Sequence, residues 1–339
     1  MRDSRELLIT GASGFIGSAL VSLALTSGWQ VRTLCRRRQA YEENIQQFVG
    51  DICDVSLAQR ACAGAAAVVH AAGLAHVFGA RAKDVEQFEM INGAGTANVA
   101  KAARENNVSH LVLLSSVSVY GNGNGSVRDE TRECSPETPY AVSKRQAEVS
   151  AINLFPSDYG ALTILRLATV YGEGDRGNVS KLIRAIEQER FFWAGAGQNK
   201  KSLIYKRDAA RACLLPLDIP ARGVQIFNVS PGPASMREIV TAICQALDCP
   251  VPRRKLPLAL VKSVAGLSRL VMDPWKLGEK IEKFVHEDVF DGTTFEREFS
   301  FSPSISLAEG MQREVAALQP KRRPGLPLSS QSDERRSLL

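Results

Sequence analysis

Cysteine is scarce and unpatterned in this chain. Its seven cysteines, Cys35, Cys53, Cys62, Cys134, Cys213, Cys244 and Cys249, include no Cys-x-x-Cys pair and no compact framework, and an odd number cannot all pair. That excludes a small disulfide-stapled domain and leads us to expect reduced thiols in a cytoplasmic protein with no metal site. Long apolar runs are also lacking. The longest, Leu256 to Met272, is interrupted by Lys262 and Arg269 and contains Pro257 and Gly266, so it falls short of a bilayer span. A half-buried amphipathic helix is the first reading of it, and interfacial membrane contact the alternative. Before the strand-like Leu7-Leu8-Ile9 there is no room for an apolar signal region, and export is not expected. Nor is there a basic patch interleaved with aromatics. Half of the net charge of +6 comes from the last twenty residues, where Lys321, Arg322, Arg323, Arg335 and Arg336 face only Asp333 and Glu334. The remainder is mildly basic, and no nucleic-acid partner is expected.

What is present is an enzyme-sized, apolar-rich chain whose first half alternates short β-branched runs with longer helical patterns. Candidate strands are Glu6–Thr10, Gln30–Cys35, Gln46–Val49, Ala67–His70, Leu111–Ser115 and Leu162–Leu167. Candidate helices are Phe15–Ser27, Ser56–Ala63, Val85–Asn106 and Tyr140–Asn153. This alternation predicts an α/β fold with a Rossmann-type doubly wound parallel sheet over residues 1–170, with strand and helix contributions from later residues allowed. Beyond Val170 the pattern turns irregular around Ala194–Gln198 and Ser230–Pro233, which predicts a smaller mixed substrate subdomain over 171–319. The Pro-, Ser- and charge-rich residues 320–339 read as a disordered tail.

The segment Thr10-Gly11-Ala12-Ser13-Gly14-Phe15-Ile16-Gly17 follows a strand and opens a helix, the context in which a glycine pattern signals a dinucleotide. Gly11 permits the tight turn, Gly14 lets backbone approach a pyrophosphate, Gly17 lets helix pack on strand, and the amides around Ser13, Phe15 and Ile16 face the phosphate charge. NAD-binding chains usually place a carboxylate at the end of the second strand. This one reads Arg36-Arg37-Arg38 there, which suits a 2′-phosphate and favours NADP, with a solvated basic turn as the other reading. Asp51 and Ile52 after the third strand are placed to contact adenine. After the fourth strand, Ala71, Ala72 and Gly73 are small where a backbone must lie close to the cofactor.

Tyr140 and Lys144 are four residues apart and share one helix face. A phenol is a poor base at neutral pH, but a neighbouring ammonium and a cationic nicotinamide both favour phenolate, so Tyr140 can move the proton that accompanies hydride transfer. Lys144 would hold the nicotinamide ribose, and Ser116, ending the fifth strand, would hydrogen-bond the substrate oxygen.

Taken together, Thr10-Gly-x-x-Gly-x-x-Gly17, His70-Ala-Ala, Asn92, Ser115-Ser116-Val-Ser118-Val-Tyr-Gly121, Tyr140-x-x-x-Lys144 and Arg166-Leu-Ala-Thr-Val-Tyr-Gly-Glu-Gly174 resemble the extended short-chain dehydrogenase/reductases. The resemblance covers about nine tenths of the chain. Leu167 and Glu173 stand where prolines are common, and Arg207-Asp208 departs from the usual Val-x-Asp. The match implies a Ser116, Tyr140, Lys144 triad, with Asn92 supporting the lysine and contributing to the cofactor site. It implies a homodimer and a nucleotide-linked hexose, UDP- or dTDP-bound, lying between two lobes with its C4 at Tyr140. Ser116, Ser118, Tyr140, Asn178 and Arg211 are then the substrate contacts, with Val179, Lys181 and Arg237 further candidates. Val117-Ser118-Val119 replaces the Thr-Asp-Glu set of dehydratases, so dehydration is not expected. Epimerase and 4-ketoreductase both remain open. A hydroxysteroid- or flavonol-type ketoreductase, its pocket lined by Phe191-Phe192-Trp193 and the Leu256–Met272 stretch, is the second reading, and a non-catalytic dinucleotide sensor the third.

Overall fold

The computed structural model describes residues 5–41, 45–75, 82–123, 125–155, 159–256 and 286–319. The Leu256–Met272 run and the 320–339 tail, for which the sequence suggests an amphipathic helix and disorder, lie outside the described residues, apart from Leu256 itself.

Seven parallel strands form the central sheet: β1 (Glu6–Thr10), β2 (Gln30–Cys35), β3 (Gln46–Val49), β4 (Ala67–His70), β5 (His110–Ser116), β6 (Ala161–Leu167) and β7 (Gly223–Val229). They lie in the order β7-β6-β5-β4-β1-β2-β3. The first six coincide with the expected runs to within one residue at either end, because short β-branched and apolar runs bounded by turn signals mark them. β7 has no such signature. It is drawn from beyond residue 170 to pair with β6, Asn228 opposite Arg166, so residues beyond 170 contribute to both lobes.

Helices cover both faces of the sheet. α1 (Phe15–Thr26) and α7 (Lys206–Leu214) pack together over one face, around Leu7, Ile9, Leu20, Val69, Val112 and Cys213. α2 (Val55–Cys62), α4 (Gly95–Glu105) and α5 (Pro139–Leu154) cover the other around Leu8, Val68, Val99, Leu111 and Phe155. α2 starts where Asp54 accepts from the Leu57 N–H at 3.0 Å, and α5 where Thr138 accepts from the Ala141 N–H at 3.2 Å ahead of Pro139. The expected single helix over Val85–Asn106 is three pieces: α3 (Ala82–Phe88), a π-helical turn (Glu89–Ala94) and α4. A 3.6-residue periodicity cannot reveal that the Asn92 side chain is bonded away from its own helix, to Leu74 and Ser143.

The second lobe gathers α6 (Asn178–Glu187), α8 (Met236–Leu247) and the Leu307–Leu318 helix around Val179, Ile183, Trp193, Ile243 and Met311. In both lobes it is the carboxyl ends of the strands that carry the residues of interest. Strand order reverses between β1 and β4, and a doubly wound sheet opens its ligand crevice there.

Candidate active site

The loop after β1 is shaped by positions that admit no side chain. Gly11 has φ +67°, and a Cβ there would lie 2.6 Å from the Ala72 backbone. A Cβ on Gly17 would lie 2.1 Å from the Gly11 carbonyl, so α1 lies directly against the turn. Gly14 opens α1 in an extended conformation with no side-chain cap. The first-turn amides, which a helix leaves without intrahelical acceptors, are thereby kept for an anion. Phe15 and Ile16 stand in that first turn, and Lys206 at the start of α7 lies 5.5 Å from the Phe15 ring centroid.

A cavity runs from this loop along the strand ends. Of the expected cofactor residues, Gly11, Ser13, Gly14, Arg36, Asp51, Ile52, Ala71, Ala72 and Gly73 line it together. The sequence reading missed Leu34, Cys35, Gly50, Leu74 and Ile91 on the same wall. The first three adjoin expected positions, whereas Ile91 arrives only through the π-helical turn. Arg36 is exposed at the far end, while Arg37 and Arg38 are not among the lining residues. His70 is buried between the Thr10 hydroxyl at 2.6 Å and the Thr96 hydroxyl at 3.0 Å. Burial, with a smaller contribution from the Lys144 charge, pushes its pKa down to about 3, so this ring is neutral and holds β1, β4 and α4 in register.

The three residues expected to react come together where β5 ends against α5. Ser116 ends the strand, accepts from the Ser118 N–H at 3.2 Å and lies beside the Tyr140 phenol. Lys144 follows one turn later, buried, with Nζ donating to the Leu114 carbonyl at 2.5 Å. A Cβ added to Gly73 would lie 3.9 Å from that Nζ, so the ammonium faces the glycine side of the cavity. Burial lowers the Lys144 pKa to about 8 against the raising influence of Glu148. For Tyr140 the protein's own groups pull in opposite directions, and the cationic nicotinamide of the sequence expectation would act on the phenol in addition. Burial raises its pKa, the Ser116 hydroxyl lowers it, and burial wins. The ammonium is engaged with the Leu114 carbonyl. Asn92 accepts from the Leu74 N–H at 2.7 Å and donates to the Leu74 carbonyl at 3.0 Å and to Ser143 Oγ at 2.9 Å. It thus pins the loop after β4 to the helix that carries Tyr140 and Lys144.

Behind the lysine lies a buried polar network that the sequence reading did not single out. Glu148 accepts from Arg166 at 3.0 and 2.8 Å, from Ser115 at 2.6 Å and from Arg145 at 2.9 Å. Arg166 also donates to Tyr120 at 2.8 Å, and Tyr120 donates to Asn228 on β7 at 2.8 Å. Burial would raise the Glu148 pKa, but the Arg166 bonds and charge outweigh it and hold the carboxylate below its ordinary value. Tyr140, Lys144 and Glu148 recur every four residues, a spacing that could have exposed Glu148 as the third member of the α5 face.

The expected substrate residues are divided. Ser118 lies one step beyond Ser116, and its Oγ is buried with no hydrogen-bond partner among the described residues. Asn178 is exposed at the first residue of α6. The structure does not bring Arg211 to these groups. On α7 it pairs with Asp208 at 3.3 Å, donates to the Ser302 carbonyl and covers the Phe301 ring at 4.8 Å. Arg237 donates to the Ala196 carbonyl at 3.0 Å and lies over Trp193. Phe191 and Trp193 are buried edge-on in the second lobe's core, ring centroids 5.1 Å apart, so those aromatics pack rather than line a pocket. Glu173, where a proline is common, accepts from the Tyr205 hydroxyl at 2.5 Å.

Sheet order, glycine turn and the Ser116, Tyr140, Lys144 constellation define a dinucleotide-binding α/β chain of the extended short-chain dehydrogenase/reductase type. The model of the NAD dependent epimerase/dehydratase family matches residues 7–230, and the chain belongs to that family of enzymes. It is 29% identical over 321 residues, 91% of this chain and 93% of the relative, to an N-acetyl-alpha-D-glucosaminyl-diphospho-ditrans,octacis-undecaprenol 4-epimerase of Escherichia coli O157:H7. It is 30% identical over 260 residues, 75% of this chain and 79% of the relative, to a UDP-glucose 4-epimerase of Vibrio cholerae. Among solved structures, MoeE5 in complex with UDP-glucuronic acid and NAD superposes with a TM-score of 0.74 at 25% identity, covering 92% of this chain and 98% of that one.

Proposed function

We propose that the chain catalyses proton-coupled oxidation and reduction at C4 of a diphosphate-linked hexose, with a nucleoside diphosphate such as UDP or dTDP as the carrier. The carrying observation is that the end of β5 sets Ser116 against the start of α5, which carries Tyr140 and the buried Lys144, beside a glycine-shaped cradle. The diphospho-undecaprenol sugar in the name of the E. coli relative and the UDP-glucuronic acid bound to MoeE5 share a diphosphate-linked sugar, although the carriers differ.

A bound nicotinamide supplies the hydride acceptor and donor. Gly11, Gly14 and the first turn of α1 would hold its pyrophosphate, Asp51 and Ile52 its adenine, and Lys144 its ribose. Arg36 would take an adenosine 2′-phosphate, which keeps NADP as the favoured form. Tyr140 Oη accepts or returns the C4 hydroxyl proton, Ser116 Oγ orients the same oxygen, and the unpartnered Ser118 Oγ is available to the sugar. The positive charge of Lys144, with a pKa near 8, persists at neutral pH. Residues 171–319 would supply the substrate side, with Asn178 at the start of α6 meeting the diphosphate.

Tyr140→Phe tests the reading. Turnover of UDP-hexoses or 4-keto sugar nucleotides should fall roughly 100- to 10,000-fold while dinucleotide binding, followed by fluorescence titration, persists. A variant with unchanged turnover removes Tyr140 from the chemistry, and a wild-type protein that binds dinucleotide yet turns over no sugar favours the sensor. Retained NAD with interconversion of C4 epimers would identify an epimerase, and stoichiometric NADPH consumption with a keto sugar a reductase.

A further inference from the structure

Two buried acids of the second lobe take no part in the chemistry above. Glu314, on the Leu307–Leu318 helix, is fully buried, and its Oε2 accepts from the Gly172 N–H at 3.1 Å. Its Oε1 meets no hydrogen-bond donor among the described residues. The same Gly172 accepts from the Asp175 N–H at 2.9 Å through its carbonyl, and this turn sets the Asp175 side chain beside the Glu314 carboxyl. Asp175 is buried too, with Oδ1 accepting from the Gly177 N–H at 2.6 Å and Oδ2 from the Ser180 N–H at 3.1 Å.

Two carboxylates side by side, shut away from water, cannot both be charged at neutral pH. A proton between them turns repulsion into a charge-assisted O–H···O⁻ bond. Asp175 collects two backbone N–H donors and Glu314 one, so the negative charge belongs on Asp175 and the proton on Glu314. We propose that Glu314 is a positioning residue, a neutral acid whose Oε1–H donates to Asp175 and so fixes the Gly172–Gly177 loop and the first turn of α6. Its effect on substrate rests on the reading of α6 as the diphosphate helix.

The surroundings agree. Besides Asp175, the groups facing Glu314 are Glu173 from the same loop and Tyr171, which itself lies near Tyr205 and Asp208. The nearby cations are engaged elsewhere: Arg211 with Asp208 at 3.3 Å, Lys206 with Glu173 at 3.7 Å and Arg313 with Glu309 at 2.7 Å. Burial first, then the Asp175 charge, raises the Glu314 pKa to about 8. Its contribution to stability is therefore full below the ordinary carboxylate range and is lost as pH rises through that value.

Glu314→Gln is the test, because the amide keeps a donor toward Asp175 and an acceptor for Gly172 without titrating. Between about pH 6 and pH 9 the wild-type melting temperature should fall about 5 °C further than that of the Gln variant. At neutral pH, Glu314→Ala should raise KM for a UDP-hexose roughly tenfold with kcat within about twofold, and Gln should restore KM. Parallel melting profiles for wild type and Glu314→Gln overturn the shared proton, whether or not the Ala variant folds. An unchanged KM in Glu314→Ala overturns the positioning role. A wild-type enzyme inert toward every diphosphate sugar defeats the functional reading instead, and the melting comparison then decides the proton alone.

Discussion

On the proposed function, the choice of cofactor turns on Arg36, the residue that follows β2. Arg36 borders the cavity on the same wall as Asp51 and Gly14, whereas Arg37 and Arg38 beside it do not. A guanidinium to phosphate bond is worth about 1.5 to 3 kcal/mol, so Arg36→Ala should weaken NADPH binding roughly tenfold or more and leave NADH nearly unchanged. Titration of both nucleotides against the variant checks this, and equal losses for the two would reassign Arg36 to the solvated turn. The arginine run was legible in the sequence, but which of its three members reaches the cavity was not, because that depends on where β2 stops relative to β3.

At the scale of elements, α5 unites the reacting face with the sheet. Lys144 looks toward the glycine side of the cavity, and one turn on, Glu148 ties the helix to β5 through Ser115 and to β6 through Arg166. Removing one partner of a buried ion pair leaves the other uncompensated, at a cost of about 3 to 5 kcal/mol. Glu148→Ala should therefore lower the urea midpoint by that equivalent, and Arg166→Met combined with it should recover part of the loss. A Glu148→Ala variant as stable as wild type would show that water or another group takes over the Arg166 charge. The helix and its YxxxK spacing were readable locally. The network was not, because its members, Ser115, Glu148, Arg166, Tyr120 and Asn228, are separated by up to 113 residues and meet only when β7 joins the sheet.

For the molecule as a whole, buried histidines set the acid limit. His70 and His110 are both buried, desolvation lowering their pKa values to about 3 and about 4, and each is bonded to a threonine hydroxyl. Their folded-state pKa values are depressed, so their contribution is present above the ordinary histidine pKa and is lost as pH falls. Between about pH 6.5 and pH 4 each takes away about 1.4 kcal/mol per pH unit. Glu314 acts in the opposite direction over an overlapping range, so the comparison must be made between variants. His110→Gln should show a shallower loss of stability on acidification than wild type when urea midpoints are followed from pH 6.5 to 4.5. Identical slopes would mean that His110 titrates normally in the folded protein.

The sequence by itself determined the first six strands of the sheet, the glycine turn after β1, and the four-residue spacing that puts Tyr140 and Lys144 on one face of α5. Each is written in neighbouring residues obeying local steric rules. Tertiary structure alone decided the rest. It recruited Gly223–Val229 to the sheet, broke the helix at Asn92, took Arg211 away to Asp208 and Ser302, and set burial against the depressed phenol pKa that the Tyr140–Lys144 spacing suggests. Desolvation and long-range pairing depend on what the fold packs around a residue, and that information is not held in the few positions on either side of it.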